Sequence, residues 1–546
     1  MFRISTLIAG CTALIAGNAA FAFNPTTIAS QISANTVTIV YEAGSSAMRD
    51  EFRASLSKLC QAGTADEYGG DASGGSATVV DNAFDNYNDT SLGINVPYNG
   101  PDMRVYSCQL VSSAPAQAPA LTPIANGNIL VYYRSEGGSA FGIVGSVFAT
   151  SSQMHLLVNT NCSNTNEWGP TGNGSGPALT ATTTTVNGLV FNNWICPVAP
   201  SIPNTSDSLT TTGNGWWLPT DSVQGTYTAS PNNMAADGLN LGISDEEPAV
   251  YTGENYPKNY KTNSGQSFGV GLTATQLGTL TSVANIAQGF AILVNKASGS
   301  ITKSVTNLSR QTVRGIMTGT YTDWSQTPEG YAAGATTSGA TPITICRRDP
   351  GSGTQAGASI FFNNEYCGGK SSVESTAAFA TPNGTSVLMW ATSGDVEDCV
   401  SGNTNAIGLR AWEATSKLTS LEQFVNIDNS TPSQANILNG SYPYWYEVNY
   451  VKGANYTNGV NPTGSGSNTV ANQQALVNSI IQFTADATTS GVITSGADYA
   501  FIPNAQDAQG TDNAPVVPNT SSFINLVSRS TAGVGDSCKA TPAALN

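Results

Sequence analysis

The chain has few charged residues and almost no histidine. Asp, Glu, Lys and Arg make up 10% of its 546 residues, and there is one His, whereas about 25% charged residues is usual for soluble domains. No basic run occurs, and the formal net charge is −16. Nucleic acids and anionic membrane surfaces are therefore poor candidate partners. An anionic ligand would have to be held by neutral donors, main-chain N–H groups and an occasional Arg.

The scarcity of histidine also limits the chemistry. His155 is the only His, and no C-x-x-C pair occurs, which argues against a zinc site. A Ser-His-Asp hydrolase is disfavoured, because His155 lies in a polar stretch and not beside the Ser/Gly loops described below. The adjacent acids Glu246 and Glu247 are more typical of a solvated face than of a catalytic pair. We expect no enzymatic activity and no cofactor.

The N-terminus indicates export. Arg3 precedes a short apolar stretch, Ile4–Ala16, and Ala20-Phe21-Ala22 forms an A-x-A cleavage site, as in secretory signal peptides. We predict that residues 1–22 are removed after Ala22 and that the protein is periplasmic or secreted to the cell surface. The alternative is lipidation at Cys11, because the residues before it resemble a lipobox.

The cysteines fit an oxidising compartment. Removing Cys11 from the nine cysteines leaves an even set: Cys60, Cys108, Cys162, Cys196, Cys346, Cys367, Cys399 and Cys538. An even count in an exported chain indicates up to four disulfides, whose pairing the sequence leaves open. Local bridges between Cys60 and Cys108 and between Cys162 and Cys196 are the pairing that we predict.

Strand and helix patterns alternate along the chain. Thr36–Tyr41 and Asn128–Tyr133 are apolar, β-branched or aromatic runs, and Met48–Cys60 carries apolar residues at helical spacing. The segment Leu308–Trp324 is predicted as a helix that ends at a Gly turn, and Ile343–Cys346 as a strand. This alternation predicts an α/β fold with mostly parallel sheets.

Three short polar loops follow predicted strands and precede predicted helices: AGSSAM, EGGSAF and GSGTQ. In open α/β sheets, ligands bind at the carboxyl ends of the strands, where helix N-termini offer free N–H groups and a positive dipole. Each loop alone is more often only a helix cap. None is a P-loop, because the Lys of that motif is missing.

The order of these loops resembles the phosphate-binding proteins that feed ABC importers. The segments that carry the resemblance are Ala43–Ser46, Gly138–Ser139, Gly242–Asp245 and Arg348–Thr354. TVRGIMTGTYTDWSQ, NAIGLRAWE and GADYAFIP follow in the family's order. The resemblance implies a two-lobed periplasmic-binding-protein-like (type II) fold with discontinuous lobes.

The resemblance also implies a ligand site for phosphate or a similar oxyanion. The residues that would donate hydrogen bonds to it are Ser46, Ser139, Ser352, Gly353 and Thr354. Arg348 would add a charge-assisted contact. Asp245 would accept the proton of a protonated anion and reject a fully ionised one. The alternative for Asp245 is a helix-capping or surface Asp, and the alternative for Arg348 is a surface cation on a loop.

Two departures from the family pattern concern the site. Ala47 stands where the family has a Phe that shields the ligand. Pro350 stands where the family has an Asp that braces the Arg, and Asp349 lies one place earlier. If the turn is rotated, Arg347 would replace Arg348.

The resemblance assigns residues 23–287 and 450–546 to lobe one and residues 288–449 to lobe two. Residues 61–128 and 150–235 are insertions in lobe one, each associated with two cysteines. By element order we expect them at the end of the sheet opposite the ligand. An exported phosphate receptor that serves an ABC permease of the inner membrane is the first interpretation. The alternative is a surface-structural or self-assembling protein with weakened ligand binding.

Overall fold

The structure is a computed structural model, and it describes part of the chain. Apart from residues 29, 33, 117, 187 and 461, its main stretches are 28–45, 48–70, 103–134, 138–147, 183–196, 239–251, 272–348, 351–363, 386–390, 393–411, 421–433, 436–437 and 441–484. Short strands are also described at 87–89, 94–96, 155–156, 198–199, 499–500, 527–528 and 543–544. The predicted signal segment, Ser46, Ala47, Asp349 and Pro350 lie outside the described residues.

Strands and helices alternate, as the sequence predicts. The strands are β1 Val37–Gly44, β2 Ala65–Gly70, β3 Tyr87–Asp89, β4 Ile94–Val96, β5 Met103–Gln109, β6 Asn128–Arg134, β7 His155–Leu156, β8 Thr183–Val186, β9 Leu189–Cys196, β10 Val198–Ala199, β11 Leu241–Ser244, β12 Thr281–Asn295, β13 Asn307–Leu308, β14 Thr344–Arg348, β15 Ser386–Trp390, β16 Ala406–Ala411, β17 Glu422–Ile427, β18 Trp445–Lys452, β19 Tyr499–Ala500, β20 Val527–Ser528 and β21 Ala543–Ala544. The α-helices are α1 Arg49–Leu59, α2 Gly138–Val147, α3 Ala274–Leu277, α4 Arg310–Met317, α5 Pro328–Ala332, α6 Gly353–Asn363, α7 Ser393–Gly402, α8 Ala454–Asn458 and α9 Val470–Thr484. Short 3₁₀ turns lie at Pro119–Ile124, Pro248–Val250, Ile301–Ser304 and Trp324–Gln326.

The main sheet runs through both lobes in the order β15-β14-β16-β12-β18-β11-β1-β6-β5-β2-β9-β8. It is mixed rather than mostly parallel. The parallel pairs include β1 with β6 and β11, and β14 with β15 and β16. These pairs bring the carboxyl ends of their strands, and the loops that follow them, to one edge in each lobe. The remaining neighbours in this order are mostly antiparallel.

Strand β12 passes from one lobe to the other. Its first part, Thr281 to Gly289, pairs with β18, and its second part, Phe290 to Asn295, pairs with β16 and β17. A register shift between Ala284 and Ile286 interrupts the first pairing. One strand therefore belongs to both lobes, as the two-lobed fold requires.

The first-lobe sheet is covered on both faces, and β1 is therefore buried along its whole length. Val40 packs with α1 and α9 through Phe52 and Leu476. On the opposite face, the rings of Tyr41 and Tyr132 stack with their centroids 4.8 Å apart.

The described strands of the two insertions extend the lateral edge of this sheet. The expectation that the insertions lie at the end of the sheet opposite the ligand is therefore wrong for these strands. β2 and β5 come from the first insertion, β8 and β9 from the second, and all four continue the sheet beyond β6. The chain returns through antiparallel pairs instead of a crossover helix. The predicted disulfide between Cys60 and Cys108 is present, whereas Cys162 lies outside the described residues.

In the second lobe, the segment from Leu308 to Trp324 contains the predicted helix, α4, and the predicted Gly turn that ends it. Ser309 caps α4 by accepting the Thr312 N–H, and the chain turns at Gly319 with φ +72°. This left-handed conformation favours Gly and ends the helix. Trp324 then begins a separate turn capped by Asp323. A second disulfide joins Cys346 of β14 to Cys399 of α7.

No helix within the described stretches is long and apolar enough to cross a membrane. The same stretches contain no cluster of three or more His, Cys, Asp or Glu side chains that would suit a metal ion.

Candidate anion-binding site

The first polar loop begins where β1 ends. Gly44 has φ +142°, and a Cβ at this position would overlap the carbonyl group of Ile243 in β11. The Ser45 N–H donates to that Ile243 carbonyl at 2.9 Å, and the Tyr133 hydroxyl donates to the Ser45 carbonyl at 2.5 Å. Only Gly allows β1 and β11 to approach so closely, and Ser45 is thereby fixed at the sheet edge.

The second loop starts helix α2. Gly138 has φ +63°, which sets the turn into the helix. Ser139 follows and is fully buried; its Oγ accepts the Asp245 N–H at 2.9 Å. A hydroxyl that accepts one bond still has its own proton to donate.

Asp245 lies at the centre of the group. It directly follows β11 and is 3% exposed. The Ser45 hydroxyl donates to its Oδ1, and its Oδ2 faces Gly353 of the second lobe. The carboxylate therefore lies between the first lobe and the N-terminus of α6.

Ser352, Gly353 and Thr354 form the third part of the group. A Cβ on Gly353 would lie 2.5 Å from Asp245 Oδ2 and 2.7 Å from Ser139 Oγ. The loops also meet through their backbones, because the Ala140 N–H donates to the Gly351 carbonyl at 2.9 Å.

Thr354 carries a buried hydroxyl without a partner among the described residues. The residue is 1% exposed, and Oγ1 forms no hydrogen bond within the part of the chain that the structure describes. A buried hydroxyl without a partner costs about 1–3 kcal/mol. Such a group in a loop that touches Asp245 is a candidate donor to a ligand.

Arg348 ends β14 and is 2% exposed. Its Nη1 donates to Ser393 Oγ of α7 at 3.3 Å. Arg347 is also buried, but its Nε donates to the Arg348 carbonyl at 2.9 Å. Successive residues of a strand point to opposite faces, so the two guanidinium groups leave β14 on different sides.

The structure thus brings Ser139, Asp245, Ser352, Gly353 and Thr354 to one place, with Arg348 at the end of the strand that leads into it. Ser46 lies outside the described residues, and its neighbour Ser45 makes the contact with Asp245. Tyr251 and Gly357, which the sequence does not single out, also contribute. Glu246 contributes as well, and it is buried, so the solvated face expected for Glu246 and Glu247 is wrong.

These three residues extend the contact between the lobes. A Cβ on Gly357 would lie 2.5 Å from Glu246 Oε1 and 2.8 Å from a ring carbon of Tyr446. Burial raises the pKa of Tyr251 well above its ordinary value, and the nearby Glu246 and Asp245 act in the same direction. The spacing of Gly353 and Gly357, one helical turn apart in α6, is visible in the sequence, but no local pattern pairs these glycines with the acids that follow β11.

The electrostatics of the group favour an anion. Helices α2 and α6 both begin here, and each presents the positive end of its dipole. Asp245 introduces a negative charge at the same place. An anion that carries a proton satisfies both requirements, because it accepts from the N–H groups and donates to the carboxylate.

Residues 274–465 match the family model of the PBP superfamily domain. The matched residues include Arg348, Ser352, Gly353 and Thr354, and the residues before them include Ser139 and Asp245. None of the curated proteins compared with the chain matches it.

Solved structures similar to the chain include an ABC-type phosphate transport receptor from Vibrio cholerae. It is 17% identical, with 47% of this chain and 79% of the other covered and a TM-score of 0.30. A phosphate-binding protein from Stenotrophomonas maltophilia is also 17% identical, with 41% and 66% covered and a TM-score of 0.27.

Proposed function

We propose that the chain is an exported solute-binding protein that closes on one protonated tetrahedral oxyanion, with phosphate as the first candidate. The observation that carries this proposal is the meeting of Asp245, Ser139 and Gly353. They come from three separate segments of the chain. Ser139 and Asp245 belong to the first lobe, and Gly353 belongs to the second. Ligands of two-lobed receptors are enclosed by such a closure.

Apart from Arg348, the donors available to the anion are neutral, as the low content of basic residues requires. Ser139 and Thr354 offer hydroxyl groups, and the first turns of α2 and α6 offer main-chain N–H groups. Such donors, fixed by helices before the ligand arrives, lose little entropy on binding. Arg348 supplies the one positive side chain of the proposed site.

Asp245 sets the specificity in this proposal. A carboxylate can only accept a hydrogen bond, so it stabilises an oxyanion that still carries a proton. A fully ionised tetrahedral anion of the sulfate type would place like charges in contact, which costs several kcal/mol at an interface of this kind. The site should therefore prefer phosphate to sulfate.

The biological role that fits this site is delivery of the bound anion to a membrane permease. The PBP superfamily match supports a binding role rather than catalysis. Export through the predicted signal segment and periplasmic or surface location complete the proposal.

Isothermal titration of residues 23–546 with phosphate tests this function. We expect saturable heat with one site per chain and no comparable heat with equimolar sulfate. Thermal unfolding in the same buffer serves as the control for folding. A folded sample that releases no heat at millimolar phosphate contradicts the proposal.

A further inference from the structure

Helix α7 is joined to strand β14 at two points. At one point, the disulfide connects Cys346 of the strand to Cys399 of the helix, with the Cα atoms 5.9 Å apart. At the other point, Arg348 Nη1 donates to Ser393 Oγ at 3.3 Å.

The disulfide and the Arg348–Ser393 hydrogen bond follow each other in the same direction along the strand and the helix. Cys346 and Arg348 are two residues apart in β14 and therefore share a face. Two strand residues advance about 6.6 Å, and the six helical residues from Ser393 to Cys399 advance about 9 Å. The helix consequently runs antiparallel to the strand, with the disulfide behind the site and Ser393 at the Arg348 end.

The body of α7 is tightly packed around the disulfide. Cys346, Cys399, Val396 and Val400 are all buried in one cluster. A Cβ on Gly408 of β16 would lie 2.6 Å from Val400 and 2.8 Å from Val396, so the helix rests directly on the sheet.

An ion pair adds a further restraint on the same helix. Glu397 of α7 pairs with Arg410 of β16, and both side chains are 4% exposed. The Arg410 Nε also donates to the Ala411 carbonyl at 2.7 Å. The position of Ser393 is thus determined by how α7 is held on the sheet.

We propose that the Cys346–Cys399 disulfide positions the Arg348 guanidinium for the oxyanion, acting through α7 and Ser393. This inference rests on the proposed function, because it concerns affinity for the anion. An Arg side chain has many rotamers, and a guanidinium binds an oxyanion strongly only when its planar fork is correctly oriented. Ser393 can orient it only while α7 stays in register with β14.

The test compares the two disulfides of the described residues. The double variant C346A/C399A removes the proposed positioning disulfide, and C60A/C108A removes a buried first-lobe disulfide of similar loop length as the matched control. In titrations with inorganic phosphate, we expect the first variant to lose about tenfold in affinity, the size typical when a residue that orients a ligand-binding side chain is lost. The control should stay within about twofold of the parent. Equal affinities of both variants and the parent overturn the inference.

A mutant cycle with Arg348→Lys separates positioning from general loosening of the lobe. Lys is a point charge without a fork, so removing the disulfide in that background should change the affinity for phosphate by less than about twofold. The same tenfold loss in both backgrounds would show a merely structural role and overturn the inference.

Ser393→Ala provides an independent arm if C346A/C399A does not fold. This variant leaves the disulfide intact and removes only the hydroxyl that accepts from Arg348, and we expect a loss of affinity in the same direction. Unchanged affinity contradicts the inference. Failure of the parent chain to bind phosphate, by contrast, contradicts the proposed function itself.

Discussion

The carboxylate of Asp245 and the α-carbon of Gly353 lie in contact across the two lobes. A Cβ on Gly353 would come within 2.5 Å of Asp245 Oδ2. One turn further along α6, a Cβ on Gly357 would likewise come within 2.5 Å of Glu246 Oε1. Two adjacent acids of the first lobe thus fit against two glycines of one helix face, and this fit sets how closely the lobes approach.

Gly353→Ala should therefore weaken phosphate binding. The added methyl group overlaps the Asp245 carboxylate and the Ser139 hydroxyl, so the lobes would have to separate to accommodate it. We expect a loss of at least about tenfold in affinity, or about 1.4 kcal/mol, measured by isothermal titration.

Gly402→Ala is the matched control for this substitution. Gly402 ends α7, and a Cβ there would meet nothing within 4 Å. The affinity of the Gly402→Ala variant for phosphate should equal that of the parent. If Gly353→Ala also binds like the parent, the fit between the lobes does not govern closure.

Thr354→Val should separate stability from binding. Val has nearly the same shape but lacks the buried hydroxyl that has no partner among the described residues, so the free energy of unfolding without ligand should be unchanged or higher by about 1 kcal/mol. Affinity for phosphate should fall about tenfold or more, since a hydrogen bond to a charged group is worth about 1.5–3 kcal/mol.

Thr302→Val is the comparison for Thr354. The Thr302 hydroxyl is equally buried but donates to the Asn295 carbonyl at 2.6 Å. Its loss should lower stability, as measured by urea unfolding, and leave phosphate affinity unchanged. A Thr354→Val variant that loses stability and keeps its affinity would exclude that hydroxyl from the site.

Asp245→Asn should change the preference between anions. An amide no longer repels a fully ionised anion and offers it a donor, so sulfate should bind more tightly relative to phosphate by about tenfold or more. Competition titrations with both anions measure the ratio, and Asp398→Asn on the exposed face of α7 is the control. A ratio that stays at the parent value removes Asp245 from the specificity of the site.

Stability should fall as the pH rises from 3.8 to about 7 because of Asp66. Burial raises the pKa of this carboxyl to about 7, against the hydrogen bonds from Asn192, Trp194 and Tyr68. Because the folded pKa is raised, the stability is fully present below the ordinary value of 3.8 and is lost as the pH rises through about 7. The change is on the order of 4 kcal/mol at most.

Asp66→Asn should flatten this pH dependence. Asn keeps an acceptor for the Asn192 and Trp194 donors, which lie 2.9 and 3.2 Å from Asp66 Oδ1. The flattening should be partial, because burial also raises the pKa of Glu42 well above 4.5 and acts in the same direction. Urea unfolding at a series of pH values measures it, and an unchanged slope contradicts the assignment.

The sequence predicts the strands and loops that carry local signals. β1, α1 and β6 lie within a residue or a few of their predicted bounds, because β-branched runs and helical spacing are read directly from the chain. The loop containing Ser139 and the one containing Gly353 are placed correctly after their strands. The helix predicted within Leu308–Trp324 ends at a Gly turn, as expected, because Gly319 adopts a positive φ.

Contacts between distant segments are not encoded in any one window of sequence. Nothing local predicts that Gly357 packs against Glu246, or that Ser393 accepts from Arg348. The insertions illustrate the same limit. Element order placed them at the far end of the sheet, whereas strand pairing, as between Tyr68 and Val105, adds β2 and β5 to its edge.

The central claim is that hydroxyls and N–H groups from both lobes surround one tetrahedral anion. A crystal of the mature chain grown with arsenate tests it most directly, because arsenic scatters anomalously and arsenate has the shape and charge of phosphate. The expected result is one anomalous peak within hydrogen-bond distance, about 2.7–3.2 Å, of Ser139, Thr354 and the N-terminus of α6, with Asp245 on the anion's protonated oxygen. A peak elsewhere on the surface, with this site closed and empty, would contradict the claim.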